Sequence, residues 1–167
     1  GYVSLGVPGG TTTLLAAMMT ASTEVILLLL SCGANIQSVD VMGNDAFIYA
    51  SIFGRPKNLE CWLERVKGWD LNRKNVIGGC ALGCAVFMGA NKVETVKVLL
   101  DAGASIDFRT FTGSTVLSNA VENEDSDPSV VRLVLEKLKS SCSAKDFTSI
   151  VNYRIQASSA KWKLQIV

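Results

Sequence analysis

The sequence predicts an all-α fold, a helical repeat solenoid of about four helix–turn–helix units with short exposed turns. Glycines recur at intervals of 33, 35 and 35 residues, with an apolar residue four positions after each and an alanine seven positions after each. Self-similarity with a period of roughly 20 to 50 residues is typical of stacked supersecondary units. The landmark residues are Gly10, Gly43, Gly78 and Gly113, then Leu14, Phe47, Leu82 and Leu117, then Ala17, Ala50, Ala85 and Ala120.

A second apolar block follows in every unit and predicts its second helix, because apolar residues fall at i, i+3 and i+4. The blocks are residues 24–30, 59–63, 94–100 and 130–135, of which the second is the poorest copy. Gly33, Gly68 and Gly103 each stand ten residues before the next landmark glycine. A glycine after a helix favours a left-handed C-terminal cap. The extra residues of the longer units are therefore expected in loops, which tolerate insertions.

These landmarks divide the chain into four units with two less regular ends. The predicted segments are a linker or partial repeat at 1–8, units at 9–42, 43–77, 78–112 and 113–139, and a degenerate cap or further helical segment at 140–167. The last segment stops within an apolar pattern, and repeat arrays need polar end caps. We therefore expect more chain or a partner beyond it.

The period, the Gly-x-Thr start, the inner alanine, the leucine-rich block and the Gly-Ala-Asn turn resemble the ankyrin repeat family over residues 9–139. The resemblance implies stacked helix pairs that bind proteins. The family signature Thr-Pro-Leu-His is degenerate here, since the chain contains no histidine. Thr12, Asp45 and Thr115 can still cap a helix start. Cys80 is a poor cap, so the first helix of the third unit is expected to be the least well anchored.

Composition narrows the classes of function. The net charge is +1 without a dominant basic stripe, which argues against nucleic acid as the main ligand. The five cysteines are odd in number and dispersed, which favours a reducing compartment, intracellular and most simply cytoplasmic. The longest apolar stretch, 76–90, has 15 residues and falls short of the about 20 that a span needs. No direct membrane insertion is expected.

No chemical site is predicted, and neither is a cofactor or a metal. Without histidine, a Ser/His/Asp or Cys/His catalytic arrangement is impossible, so we expect no enzyme. Cys80 and Cys84 share a helix face and could be two metal ligands, but the interpretation as small buried residues is favoured. The acidic run 122–127 lacks the pattern of a calcium loop. The glycine-rich 6–12 lacks the lysine of a phosphate loop.

The family resemblance implies that a partner would contact the turn tips and the exposed side of the first helices. At the helix positions the chain supplies a predicted apolar strip of Tyr49, Ile52, Phe53, Phe87 and Met88. At the turns it supplies Trp69, Arg73, Lys74, Phe108, Arg109 and Phe111. A register error of one residue would instead make the strip core. For Trp69, local packing and partner contact both remain open, and the cations could be scattered surface charge.

The predicted function is a protein–protein interaction module or a scaffold subunit of a larger multi-protein complex. The partner would occupy the concave face and the turn tips. The alternative is the regulatory ankyrin region of a longer membrane channel or signalling protein. An enzyme on a helical scaffold is the least favoured class.

Overall fold

The computed structural model describes residues 9–122 and 127–152, and this part of the chain contains nine α-helices and no strand beyond two isolated bridges. The helices are α1 Thr13–Thr20, α2 Thr23–Ser31, α3 Ala46–Ile52, α4 Pro56–Arg65, α5 Ala81–Met88, α6 Lys92–Asp101, α7 Val116–Glu122, α8 Pro128–Ser141 and α9 Ala144–Val151. The prediction of an all-α fold is confirmed. The predicted segment 1–8 and residues 153–167 of the last segment lie outside the described residues, as do 123–126 of the acidic run.

The first eight helices form four sequential pairs in two rows. The first helices of the pairs, called inner helices here (α1, α3, α5, α7), contact one another in chain order. The second helices, called outer helices (α2, α4, α6, α8), do the same, and α9 contacts α8. Every pair falls inside one of the units predicted from the glycine spacing, apart from the last two residues of α8. Within the described residues, no helix combines the length and the apolarity that a membrane crossing requires.

Side chains cap three of the four inner helices, as the sequence predicts. Thr12 Oγ1 accepts from the amide of Leu15 at 3.4 Å, and Asp45 Oδ1 accepts from that of Ile48 at 2.9 Å. Thr115 Oγ1 accepts from Ser118 at 3.1 Å. Cys80 makes no side-chain cap. Since a cap is worth about 1 kcal/mol, α5 depends more than the other inner helices on packing.

Left-handed glycines follow the outer helices of the first three units. Gly33, Gly68 and Gly103 have φ of +79°, +72° and +93°. The predicted glycine caps are confirmed at Gly33 and Gly103, which directly follow the C-cap residues of α2 and α6. Helix α4 instead ends at Arg65, with Val66 as its C-cap, before Gly68. Residues with a Cβ rarely adopt this conformation, which explains why the same residue type recurs at each turn.

The core lies between the two rows of helices. Trp62, Phe47 and Leu15 are among its largest fully buried side chains. Polar side chains tie consecutive units together. The amide nitrogen of Asn58 donates to the carbonyls of Met18 and Ala21, at 3.3 and 3.2 Å, so the start of α4 caps the end of α1.

Candidate protein-binding surface

Three turns project from the described repeats with the same hydrogen-bonding pattern. In each, a side-chain oxygen accepts from the backbone amide four residues later. Asp40 binds Asn44 at 2.8 Å, Asn75 binds Gly79 at 2.7 Å, and Thr110 binds Ser114 at 3.0 Å. The landmark glycine inside each turn has positive φ, +73°, +79° and +88° in chain order. We call residues 40–44, 75–79 and 110–114 the turn tips.

Direct hydrogen bonds connect the first two tips. The amide of Val76 donates to the carbonyl of Met42 at 2.9 Å, and the side chain of Asn75 donates to Asn44 Oδ1 at 2.9 Å. The amide of Val41 likewise donates to the carbonyl of Gly9 at 3.0 Å. The first two tips are therefore hydrogen-bonded to each other, and the third approaches the second where Phe111 packs against Gly78.

The tips expose apolar side chains. Val41 is 66% exposed, Val76 56%, Ile77 54% and Phe111 73%. Phe111 lies against Gly78 of the preceding tip, where an added Cβ would come within 3.1 Å of the phenyl ring. Apolar residues repeated along one edge present a binding surface that polar turns would not.

An apolar groove of about 350 Å³ lies between the second and third tips and helices α5 and α7. It is lined by Ile77, Gly79, Gly83, Cys84, Phe87, Met88, Phe108, Thr110, Thr112, Ser114, Asn119 and Glu122. Phe87 and Met88 stand at the end of α5 and are 45% and 50% exposed. The groove therefore joins three residues of the predicted partner surface, Phe87, Met88 and Phe108, to residues of the second and third tips. We call it the tip groove.

Gly83 determines the floor of the tip groove. A Cβ at this position would lie 2.5 Å from the ring of Phe108. The ring occupies the space that a side chain at position 83 would need, and it is 6% exposed. The expectation that Phe108 is displayed to a partner is therefore corrected, because it is a buried wall of the groove.

The predicted exposure of Tyr49 is wrong. The side chain is 3% exposed, and its hydroxyl donates to Asp40 Oδ2 at 2.6 Å. Burial opposes ionisation of Asp40, but hydrogen bonds from Tyr49, Asn44 and two backbone amides together hold its pKa below its ordinary value. Burial and the adjacent carboxylate raise the pKa of Tyr49. Tyr49 thus positions the first tip from beneath.

Ile52 and Phe53 also depart from the predicted strip. Both are half-buried and pack against the core. The ring of Phe53 lies 6.3 Å from that of Tyr49. Neither residue lines the tip groove. The predicted continuous strip is therefore not present. The exposed apolar surface consists of the tip groove and the apolar side chains of the tips.

Trp69 and Arg73, which follow helix α4, contact other residues of the chain. Trp69 packs edge-to-face on the buried Trp62, with ring centroids 5.1 Å apart. Arg73 lies 4.6 Å above the Trp69 ring, and its Nε is 3.4 Å from Asp45 Oδ2. Burial raises the pKa of Asp45, and the nearby Arg73 guanidinium opposes that shift. This cluster favours local packing as the role of Trp69.

Lys74 and Arg109 stand beside the tip groove. Both are exposed. Lys74 Nζ lies 3.5 Å from the carbonyl of Arg109 and 5.8 Å from the centre of the Phe108 ring. Two cations therefore border the wall that Phe108 forms, which gives this edge of the groove positive charge.

The buried thiols have no arrangement suited to chemistry. Cys80 and Cys84 are free and buried, and burial raises the pKa of Cys84 to about 12. A thiol that is protonated at neutral pH is a poor nucleophile and a poor metal ligand. Within residues 9–122 and 127–152, no group of three or more His, Cys, Asp or Glu side chains could hold a metal ion.

The sequence interpretation missed the residues that build the tips. Asp40, Asn75 and Thr110 each stand three positions before a landmark glycine, and all carry an oxygen that can accept from the backbone. That recurrence could have predicted the tips from the sequence.

No protein-family model and no curated protein matches this chain.

Proposed function

We propose that this chain is a protein-recognition module with an ankyrin-like solenoid architecture, which binds a segment of a partner protein along the turn tips and in the tip groove. Two rows of sequentially contacting helices and the hydrogen bonds between the first two tips support the architecture. The observation that carries the function is the apolar tip groove, in which Phe87 and Met88 remain about half exposed beside the exposed tips.

The groove favours an apolar anchor as the contact from the partner, with a basic edge at Lys74 and Arg109 and a carboxylate, Glu122, in its lining. Its lining is predominantly apolar, and Lys74 and Arg109 border the Phe108 wall. Apolar anchors in pockets dominate the energy of protein interfaces, whereas charges at the rim steer association. Hydrogen bonds within each tip restrain its backbone before binding, which limits the further loss of conformational entropy.

The test is a double substitution of Phe87→Ser with Met88→Ser, followed by co-purification from the source cells at matched protein concentration. Both side chains are about half exposed, so each substitution should lower the free energy of unfolding by about 1–1.5 kcal/mol, half of what full burial contributes, and the fold should persist. We expect a stoichiometric partner of the unchanged chain to be lost from the double variant.

The matched control is Val151→Ser on α9, because Val151 is 45% exposed, as Phe87 is, but lies outside the tip groove. This control should retain the partner. Equal recovery of the partner with the double variant and with the control would contradict the proposal.

A further inference from the structure

The tip groove contains a buried amide without a hydrogen-bond partner. Asn119, the fourth residue of α7, lines the groove and is 7% exposed. No hydrogen bond joins its side-chain amide to another residue of 9–122 or 127–152. The amide is also not fully enclosed, since the enclosed and unpaired side-chain atoms of this part of the chain belong to Trp62, Trp69 and Thr95. Buried amides are normally hydrogen-bonded, so this one is suited to a molecule in the groove.

The equivalent position of the second unit shows how such a side chain is satisfied within one unit. Tyr49 and Asn119 each stand six residues after the landmark glycine. The hydroxyl of Tyr49 donates to Asp40, three residues before that glycine, at 2.6 Å. In the fourth unit the position of Asp40 is held by Thr110, whose hydroxyl pairs instead with that of Thr112 at 2.8 Å. The bond that occupies Tyr49 therefore has no counterpart at Asn119.

The chemistry of the amide favours an extended segment of a partner over a helix. An asparagine side chain offers an acceptor oxygen and two N–H donors, so it can pair with both the N–H and the C=O of one peptide group. Peptide groups inside a helix are already bonded to one another, whereas an extended segment has unpaired ones. An amphipathic helix also needs a groove for several anchors. The tip groove has about 350 Å³, near the lower limit for ligand pockets.

Glu122 gives the groove a negative charge next to this amide. It is the one charged residue of the groove lining, and it is exposed. Asn119 and Glu122 stand three residues apart on α7, so their Cβ atoms are about 5–6 Å apart on the same face. An extended chain rises about 3.3 Å per residue. A cation that pairs with Glu122 therefore belongs to a residue within about two positions of the peptide group at Asn119.

The other charges near the groove do not compete for this place. Lys74 and Arg109 directly precede the second and third tips, whereas Glu122 is the last residue of α7, about 9 Å along the helix from its start. Asp45, whose charge acts on Cys84 in the groove, is 1% exposed. A cation of the partner beside Glu122 is thus separated from the basic edge.

We infer that the partner presents an extended segment with three features. An apolar side chain enters the tip groove, the neighbouring peptide group pairs with the amide of Asn119, and a Lys or Arg within about two residues of that group pairs with Glu122. The inference rests on the proposed function, because it specifies the chemistry of the segment that binds the same groove.

The test uses immobilised nine-residue peptides and the purified, fluorescently labelled full chain. Each peptide has a central Leu or Phe and one Lys at another position, in a Gly/Ser background that does not favour helix. Matched sets carry Glu in place of Lys, or an alanine-rich background that favours helix. Gly/Ser peptides with Lys within three positions of the anchor should bind about tenfold more tightly than their Glu counterparts. Absence of binding to every Gly/Ser peptide, or binding of the alanine-rich set alone, overturns the inference.

Reversal of the charge tests the role of Glu122. Because Glu122 is exposed, Glu122→Lys should leave the fold intact and shift the preference from Lys peptides to Glu peptides. The matched control is Glu60→Lys on α4, which is also exposed but does not line the groove, and it should keep the preference of the unchanged chain. A Glu122→Lys variant that still prefers Lys peptides overturns the assignment.

Methylation of single peptide nitrogens tests the pairing with Asn119, with affinities measured by fluorescence anisotropy. For the unchanged chain, methylation at one bond next to the anchor should weaken binding by about tenfold, since a donor is lost. Asn119→Leu, which keeps the size of the side chain without its amide, should bind more weakly and be indifferent to that methylation. Asn119→Ala replaces it if urea unfolding shows that the fold is lost. An equal effect of methylation in the unchanged chain and the variant overturns the pairing.

The double variant Phe87→Ser, Met88→Ser distinguishes failure of this inference from failure of the proposed function. It should lose every peptide together with the cellular partner, because both use the groove. If it loses the cellular partner while the unchanged chain binds no peptide, the inference is overturned and the proposed function stands. If it retains the cellular partner, the proposed function fails, and the inference fails with it.

Discussion

Removing the hydroxyl of Tyr49 tests how the first tip is held. In the Tyr49→Phe variant, Asp40 Oδ2 loses the 2.6 Å hydrogen bond and keeps that from the side chain of Asn44 at 3.0 Å. A hydrogen bond to a charged group contributes about 1.5–3 kcal/mol. Because Asp40 is 5% exposed, water has little access to replace the lost donor. We expect the free energy of unfolding at pH 7 to fall by that amount.

The pH dependence follows from the direction of the pKa shift of Asp40. Its folded-state pKa lies below the ordinary 3.8, so ionised Asp40 stabilises the fold above pH 3.8, and this contribution is lost as pH falls through the folded value. Tyr49→Phe removes part of that contribution. The difference between the variant and the unchanged chain should therefore be largest near neutrality and shrink below pH 3.8. The pKa of Asp45 is shifted the opposite way. Its contribution to the pH dependence is common to both chains, so it cancels when their stabilities are compared at equal pH.

Urea unfolding followed by circular dichroism, between pH 3 and 7, measures both effects. Asp40→Asn and the double variant complete a mutant cycle, in which the coupling between the two residues should account for most of the loss at pH 7. Phe111→Ala, at an exposed position of another tip, should change stability by less than about 0.5 kcal/mol. A Tyr49→Phe loss that is equally small, or that is the same at pH 3 and pH 7, would refute this description of the first tip.

Three further predictions concern the packing between units. Gly83→Ala should lower the free energy of unfolding by about 1–3 kcal/mol, because its Cβ would lie 2.5 Å from the Phe108 ring; an unchanged urea midpoint would show that the ring moves freely. Asn58→Ala should cost about 1–3 kcal/mol, since the carbonyl of Met18 loses the donor Asn58 and that of Ala21 keeps only Arg55; Lys57→Ala, at an exposed position, should cost less. Cys84, whose pKa is about 12, should resist thiol reagents at pH 8 until urea unfolds the chain, whereas exposed Cys32 reacts at once; mass spectrometry of the labelled peptides distinguishes the two.

The helices and their limits were readable because local interactions determine them. A cap needs an oxygen three residues before the amide that it accepts from, as with Thr12 and Leu15. A left-handed helix end needs a glycine, as at Gly33. Such features repeat with the chain, so superposing the sequence on itself reveals them.

The binding surface was predicted less well because burial at its positions depends on distant residues. The hydroxyl of the buried Tyr49 donates to Asp40, which stands on the opposite side of a turn. Phe108, between α6 and α7, is buried because Gly83 in helix α5 leaves room for its ring. Neither relation appears in the helix period. Phe87 and Met88, at the end of α5, lie beyond such covering and match the predicted exposure.

The most direct measurement of the central claim places a photo-reactive phenylalanine analogue at Phe87, in the tip groove, and separately at Glu60, which is exposed on the outer helix α4. Irradiation in the source cells should give one discrete protein adduct from position 87 and none from position 60. The unlabelled Phe87→Ser, Met88→Ser protein, added in excess, should not compete for that adduct, whereas the unchanged chain should. An adduct from position 60 alone, or adducts of equal yield from both positions, would contradict recognition through the tips and the groove.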